Sequence, residues 1–322
     1  MSDNTAPALA QRLDLRPFTN PKTGAWGCDP CDQIQSRPTA YPDGTWARTT
    51  EADAAAERKV AAILYRHGLA VVKAGGLAEI DLLAVAGERL VGAVEVKRRY
   101  HEAARYPTLY INLRKVAAMA TWCVALGVPA WFVVVYDDQV QAISLADLPG
   151  AVGGCRVDGY RVRHGATALE PVLEVRVNAM RLIGRTEETA EVEIGGPASI
   201  PDQSRMVDLD GQPLLRDQAT LDQAVAIAGR LAPLLGGDRV GHFRPISPLD
   251  CWAARGDRPL ALVLTTCLPL PPEWHRVVTL PLRLVLALQA TAQLAGLRAV
   301  VAVQADTDLC WLERTSRSHR TG

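Results

Sequence analysis

The feature that most constrains this chain is that it matches itself, without a gap, when shifted by 169 residues, so that Asp81 falls on Asp250. Gly68, Gly87 and Gly127 fall on Gly237, Gly256 and Gly296. Leu113, Arg114 and Val116 fall on Leu282, Arg283 and Val285, and Ala130, Val134 and Asp137 on Ala299, Val303 and Asp306. Two alanine- and valine-rich halves give chance matches, but chance does not place turn glycines and strand ends in one register. The chain is therefore expected to build one architecture twice, with the second copy diverged.

The elements of that architecture are legible. TEADAAAERKVAAILYRHG has Val60, Ile63 and Leu64 at helical spacing, acidic residues in its first turn and Gly68 at its end, which predicts a helix. The runs LAVVKA, EIDLLAV and RLVGAVEVKRR predict three short strands, separated by Gly75-Gly76 and by the Gly87-Glu88 turn. A helix over 113–126, stopped by Gly127, precedes the apolar run AWFVVV. Asp137-Asp138 then turns the chain into QVQAISL. Helix, three strands, helix and two strands make an α/β sandwich with a mixed sheet. The expected domains are an extended, proline-punctuated arm over 1–48, a first domain over 49–185, an acidic then Gly- and Pro-rich linker over 186–218, and the second copy over 219–322.

Lys and Arg number 35 and so do Asp and Glu, so any contact with nucleic acid must come from local clustering of charge. Seven irregularly spaced cysteines do not make a disulfide framework. No basic start leads into an apolar run, and no run approaches the ~18 apolar residues that span a membrane, so a reduced cytoplasmic location is expected. Cys28-Asp29-Pro30-Cys31 is a C-x-x-C, but zinc takes about four ligands and no second pair is near in sequence.

The chemistry gathers on the second and third strands. Glu95 and Lys97 are two residues apart, so both face one side of the sheet. Asp81 lies on the neighbouring strand, and hairpin pairing across Gly87 would bring it to Glu95. The run Val91 to Val96 is apolar around Glu95, where an ionised carboxylate is costly without a partner. Two converging carboxylates repel unless a cation lies between them. Hard oxygen donors with room for water suit Mg²⁺, or Mn²⁺. Such an ion activates water and stabilises charge on a phosphate, while Lys97 can orient that water or neutralise developing charge. Lys97, Arg98, Arg99, Arg105, Arg114 and Lys115 form a basic cluster interleaved with His101, Tyr106 and Tyr110, types that suit phosphate contact and base stacking. Arg98, Arg99, Arg114, Lys115 and Tyr106 are the candidate DNA contacts, joined by Lys73 at the same end of the sheet.

Asp81 within Glu79-Ile80-Asp81, followed by Glu95-Val96-Lys97, resembles the PD-(D/E)XK nuclease superfamily, with Ile80 where a proline is usual. EVKRRYHEAARYPTLYINLRK also looks like phage-encoded members, with an arginine pair after the lysine and Tyr-Pro-Thr before the next helix. The resemblance spans about 50–145 and implies a restriction-endonuclease-like mixed sheet flanked by helices. It further implies metal-dependent cleavage of DNA, with Asp81 and Glu95 as metal ligands. Glu57, eleven residues before Gly68, would be the helix-borne third acid of resolvase-like members, whose substrate is branched DNA such as a Holliday junction. Glu79 ranks below these as an extra ligand. In the second copy the offset turns Glu57 into Ala226, Glu95 into Leu264 and Lys97 into Thr266, leaving only Asp250. That copy is expected to be catalytically dead and to act as a packing, dimer-like or DNA-docking partner. The chain would then be a pseudo-dimer with one live site, or a homodimer. The rival reading is a non-catalytic phage or prophage binding or assembly protein that keeps the fold. The intact Asp81, Glu95 and Lys97 set counts against it.

Overall fold

The computed structural model describes residues 17–19, 26–28, 39–40, 46–47, 51–74, 80–87, 89–161, 167–186, 218–243, 247–268, 280, 282–305 and 308–314. Most of the expected arm, Cys31, Glu79 and all but the ends of the expected linker lie outside these residues. Within the arm, β1 (Pro17–Thr19) pairs with β2 (Trp26–Cys28) and β3 (Thr39–Ala40) with β4 (Trp46–Ala47), both antiparallel.

The chain divides into two compact units that do not follow its linear order. One comprises 1–109, 125–151 and 176–215; the other comprises 110–124, 152–175 and 216–322. The first unit holds the helix α1 (Glu51–Arg66) and the strands β5 (Ala70–Lys73), β6 (Leu82–Ala86) and β7 (Arg89–Arg98). After β8 (Thr108–Asn112) and α2 (Leu113–Leu126), most of which go to the second unit, the chain returns to the first. There it adds β9 (Ala130–Val135), β10 (Gln139–Ser144) and a single turn of helix, α3 (Leu148–Ala151). A hairpin of β11 (Val152–Arg161) and β12 (Thr167–Arg176) follows, and β13 (Arg181–Arg185) closes the first sheet. That sheet runs β13-β10-β9-β7-β6-β5 and is mixed, because only β7 and β9 are parallel. The crossover from β7 to β9 through α2 is what a parallel neighbour requires. The mixed α/β sheet expected from the element order is therefore present.

The period of the sequence explains the packing. Ala56, Val60 and Ile63 share one stripe of α1 and bury it on Val71, Leu82, Val94, Val133 and Val140 of the sheet. Gly87 and Gly127 adopt φ of 57° and 65°, a region open to glycine at little cost, and so make the tight turns that set both registers.

The second unit contains α4 (Gln218–Leu231), β14 (Arg239–His242), β15 (Cys251–Arg255), β16 (Arg258–Leu268), α5 (Leu282–Ala295), β17 (Arg298–Ala305) and β18 (Asp308–Arg314). Its sheet runs β14-β15-β16-β17-β18, again with one parallel pair, β16 and β17. The ladders repeat those of the first unit pair for pair. Leu82 faces Val94 as Cys251 faces Val263, and Ala93 faces Ala130 as Leu262 faces Ala299. The register slips after Ala84 in one sheet and after Ala253 in the other. The gapless alignment needs one correction. Gly68 donates to Tyr65 O and Leu69 to Leu64 O, whereas Gly236 donates to Pro233 O and Gly237 to Ala232 O, an offset of 168. The left-handed residue is Gly236, at φ 78°, and Asp238 is one extra residue before β14. The helix-level counterpart of Glu57 is therefore Val225, not Ala226. The core agrees, since Ala224, Ala228 and Leu231 are buried where Ala56, Val60 and Ile63 are.

The β11–β12 hairpin also belongs to the second unit. There the Val157 N–H donates to Asp257 O at 2.6 Å. In the same sheet as Asp250, Gly241 lies under its cross-strand neighbour Trp252, and a Cβ at 241 would meet the indole at 2.2 Å. Gly241→Ala is expected to cost about 1–3 kcal/mol, read as a fall in urea midpoint at constant m. An unchanged midpoint would disprove this packing.

Candidate active site

β5, β6 and β7 place the acidic residues by register. Leu82 pairs with Val94, so Asp81, one step back, stands opposite Glu95. Directly opposed side chains have Cβ atoms about 5 Å apart on one face. Asp81 ties the strand ends together: its N–H donates to Val94 O at 3.0 Å, and its carbonyl accepts Ala74 N–H at 2.9 Å. Its Oδ2 accepts the Val96 N–H at 2.7 Å, which fixes the carboxylate beside β7. Glu95 is only 4 % exposed, level with Phe132 on β9. Lys97 is exposed two residues farther along the same face.

α1 adds Glu57, also 4 % exposed, whose Oε2 accepts a hydrogen bond from Lys73 Nζ in a buried ion pair. Burial pushes the Glu57 carboxyl up to about 7; the Lys73 ammonium opposes this, and the Asp81 carboxylate adds to it. Lys73 was expected to reach DNA. It is instead 6 % exposed and turned onto Glu57, because a buried carboxylate needs a nearby cation.

The donor chemistry tests the metal. Among the described residues no three His, Cys, Asp or Glu side chains form a ligand group. Asp81 and Glu95 nevertheless oppose each other, and two carboxylates with water and phosphate oxygens completing the shell suit a Mg²⁺-type ion. The residues fit such an ion as a pair. Glu57 is held by Lys73 rather than presented as a third donor.

The basic residues separate. Arg98 Nη1 donates to Arg99 O (2.5 Å) and Val135 O (2.9 Å), its Nη2 pairs with Asp137, and its guanidinium lies 5.1 Å from the Tyr100 ring centre. It staples β7 to the β9–β10 turn, a role the sequence expectation of phosphate contact did not include. Arg114, in the second unit, is 9 % exposed and paired with Glu170 at 3.1 Å. Lys115 follows it on α2. Tyr106 is 49 % exposed, with the His101 ring edge-on at 5.0 Å. Tyr136 was missed by the sequence reading. It follows the last residue of β9, its ring 5.6 Å from that of His101, and the parallel pairing of β9 with β7 brings it to this cluster.

Residues 47–183, in which a mixed sheet carries Asp81 opposite Glu95 with Lys97 on the same face, are similar to PD-(D/E)XK nucleases. More narrowly, this stretch matches the family described as "Phage putative PDDEXK endonuclease". No curated protein matches the chain. Among solved structures, Archaeoglobus fulgidus Hjc, a Holliday junction resolvase from an archaeal hyperthermophile, is similar at 14% identity and a TM-score of 0.28, over 44% of this chain and 93% of its own. Among the described residues no helix is long and apolar enough to cross a membrane.

Proposed function

We propose that this protein is a divalent-metal-dependent endonuclease that hydrolyses DNA phosphodiester bonds at the face bearing Asp81, Glu95 and Lys97. The observation that carries the reading is the ladder register, which opposes two carboxylates and sets an exposed lysine two residues on. Asp81 and Glu95 would hold Mg²⁺ or Mn²⁺, which when bound supplies Lewis-acid neutralisation of the phosphate and a more acidic water. The Val96 N–H fixes the Asp81 carboxylate before substrate arrives. Lys97 orients the attacking water and offsets charge building on the phosphate. Glu57 and Lys73 neutralise each other next to Asp81. Arg99, Tyr106 and Lys115 are the proposed DNA contacts; Lys73, Arg98 and Arg114 are committed to acidic partners. Phage or prophage DNA, branched forms included, is the proposed substrate class.

A panel of linear, nicked, flapped, four-way and single-stranded DNAs with Mg²⁺ or Mn²⁺ tests this. Cleavage of at least one, lost with chelator, is expected; an inert protein on every substrate would sink the reading.

We further propose that the two sheets arose by duplication and that the second lost its chemistry. Matching ladders, matching register slips and the shared strand-end aspartate support this. At the active-site positions Leu264 and Thr266 replace Glu95 and Lys97. One live site per chain means that a monomer should nick supercoiled plasmid to the open circle before any linear form accumulates. Linear product appearing at once from a monomer would contradict it.

A further inference from the structure

Tyr136 takes no part in the cleavage proposed for Asp81, Glu95 and Lys97. Its side chain is buried, and among the described residues its hydroxyl has no hydrogen-bond partner. Buried polar atoms are mostly hydrogen-bonded, so such an orphan calls for an explanation. Glu95, Lys97 and Arg99 alternate along one strand direction and so share a face. Lys97 is level with Val134 and Arg98 with Val135, and the Arg99 N–H extends the ladder to Val135 O at 2.9 Å. Tyr136 follows the last residue of β9 as Arg99 follows the last of β7, which sets the two at one level. Burial draws the Arg99 guanidinium below its ordinary range, against an opposing pull from Tyr136. Burial likewise pushes the Tyr136 phenol up to about 12, so it stays a hydroxyl. At the same level of the second sheet the paired residues are Leu268 and Ala305. Arg99 and Tyr136 are thus missing from the copy that also lacks Glu95 and Lys97, whereas the strand-pinning aspartate is kept there as Asp250.

We propose that Arg99 grips the phosphate next to the scissile one along the DNA strand, and that Tyr136 is its positioning residue. This rests on the nuclease reading above. Two residues of strand advance about 6.6 Å, the scale of one nucleotide step of an extended strand. A phosphate draws the outer N–H groups of the guanidinium, and an inner N–H then donates to Tyr136 Oη, which gains the partner it lacks.

The test measures KM and kcat for the wild type, Tyr136→Phe and Arg99→Ala. The oligonucleotides carry a neutral methylphosphonate at each phosphate flanking the cut in turn. Both variants should raise KM about tenfold, the worth of a charge-assisted hydrogen bond, and more than they lower kcat. One flanking methylphosphonate should cost the wild type a similar factor and Arg99→Ala nothing more. Tyr136→Phe should melt no lower than the wild type, because it removes only an unpartnered hydroxyl. An unchanged KM in either variant, or an equal methylphosphonate penalty in wild type and Arg99→Ala, overturns the proposal. A wild type that cleaves nothing would fail the nuclease reading instead. Binding of the same oligonucleotides, read by fluorescence anisotropy, would then still decide the role of Arg99 and Tyr136.

Discussion

Lys97→Ala should lower the rate of DNA cleavage by about 10²–10³-fold or more while leaving the melting temperature within a degree or two of wild type. The lysine is exposed, so its removal leaves no buried cavity, and the group it loses acts on charge that develops only during the reaction. Asp81→Asn should be at least as severe, because one of the two opposed carboxylates is gone. Asparagine is the right substitution here. Asp81 has a second task, accepting the Val96 N–H at 2.7 Å, and an amide oxygen can still do that. Asp250 performs the same task in the second unit, accepting the Thr265 N–H at 2.5 Å in a sheet where Leu264 replaces the other carboxylate. The aspartate thus has a structural use without metal chemistry, and Asp81→Ala would confound the two. Single-turnover cleavage beside circular dichroism separates them. Full cleavage by either purified variant would remove the active-site assignment.

Lys73→Met is expected to destabilise the first unit by about 3–5 kcal/mol, because Glu57 is left as a buried charge with its cation removed. At a few degrees per kcal/mol this is a fall of about 10 °C in melting temperature. The double variant Lys73→Met with Glu57→Leu should recover most of it, since an apolar pair of similar volume replaces both charges. The pH dependence has a definite sign. The folded Glu57 carboxyl titrates at about 7, above its ordinary 4.5, so its contribution to stability is fully present below 4.5 and is lost as pH rises through 7. Without Lys73 that loss grows, so the variant's deficit should be larger at about pH 8.5 than near pH 5. A deficit independent of pH, or a double variant no better than the single, would show that Glu57 does not depend on this lysine.

The local elements could be read from residues alone because their causes are local. The period of Val60, Ile63 and Leu64 gives α1, and glycines at 87 and 127 give turns that only a positive φ allows. The hairpin across Gly87 brings Asp81 near Glu95, but turn length alone would set it opposite Val94; the register slip after Ala84 moves it to Glu95. The repeat was legible too, except for the one-residue shift at Asp238. A gapless comparison cannot detect that shift, because two neighbouring glycines, Gly236 and Gly237, offer both registers.

What the sequence by itself determined is therefore the mixed α/β order, read from the period of each run, and the shared face of Glu95 and Lys97, two residues apart on one strand. Both depend on residues close in sequence or on fixed spacing. Only the tertiary structure decided which charges answer each other. Lys73 meets Glu57 across a helix and a strand, Arg98 meets Asp137 across a parallel pair, and Arg114 meets Glu170 from 56 residues away. The ion pairs that engage Lys73, Arg98 and Arg114, and the neighbour that sets Tyr136 beside Arg99, arise from packing between distant segments. Burial makes an unpaired charge costly, and the fold settles which opposite charge lies within reach.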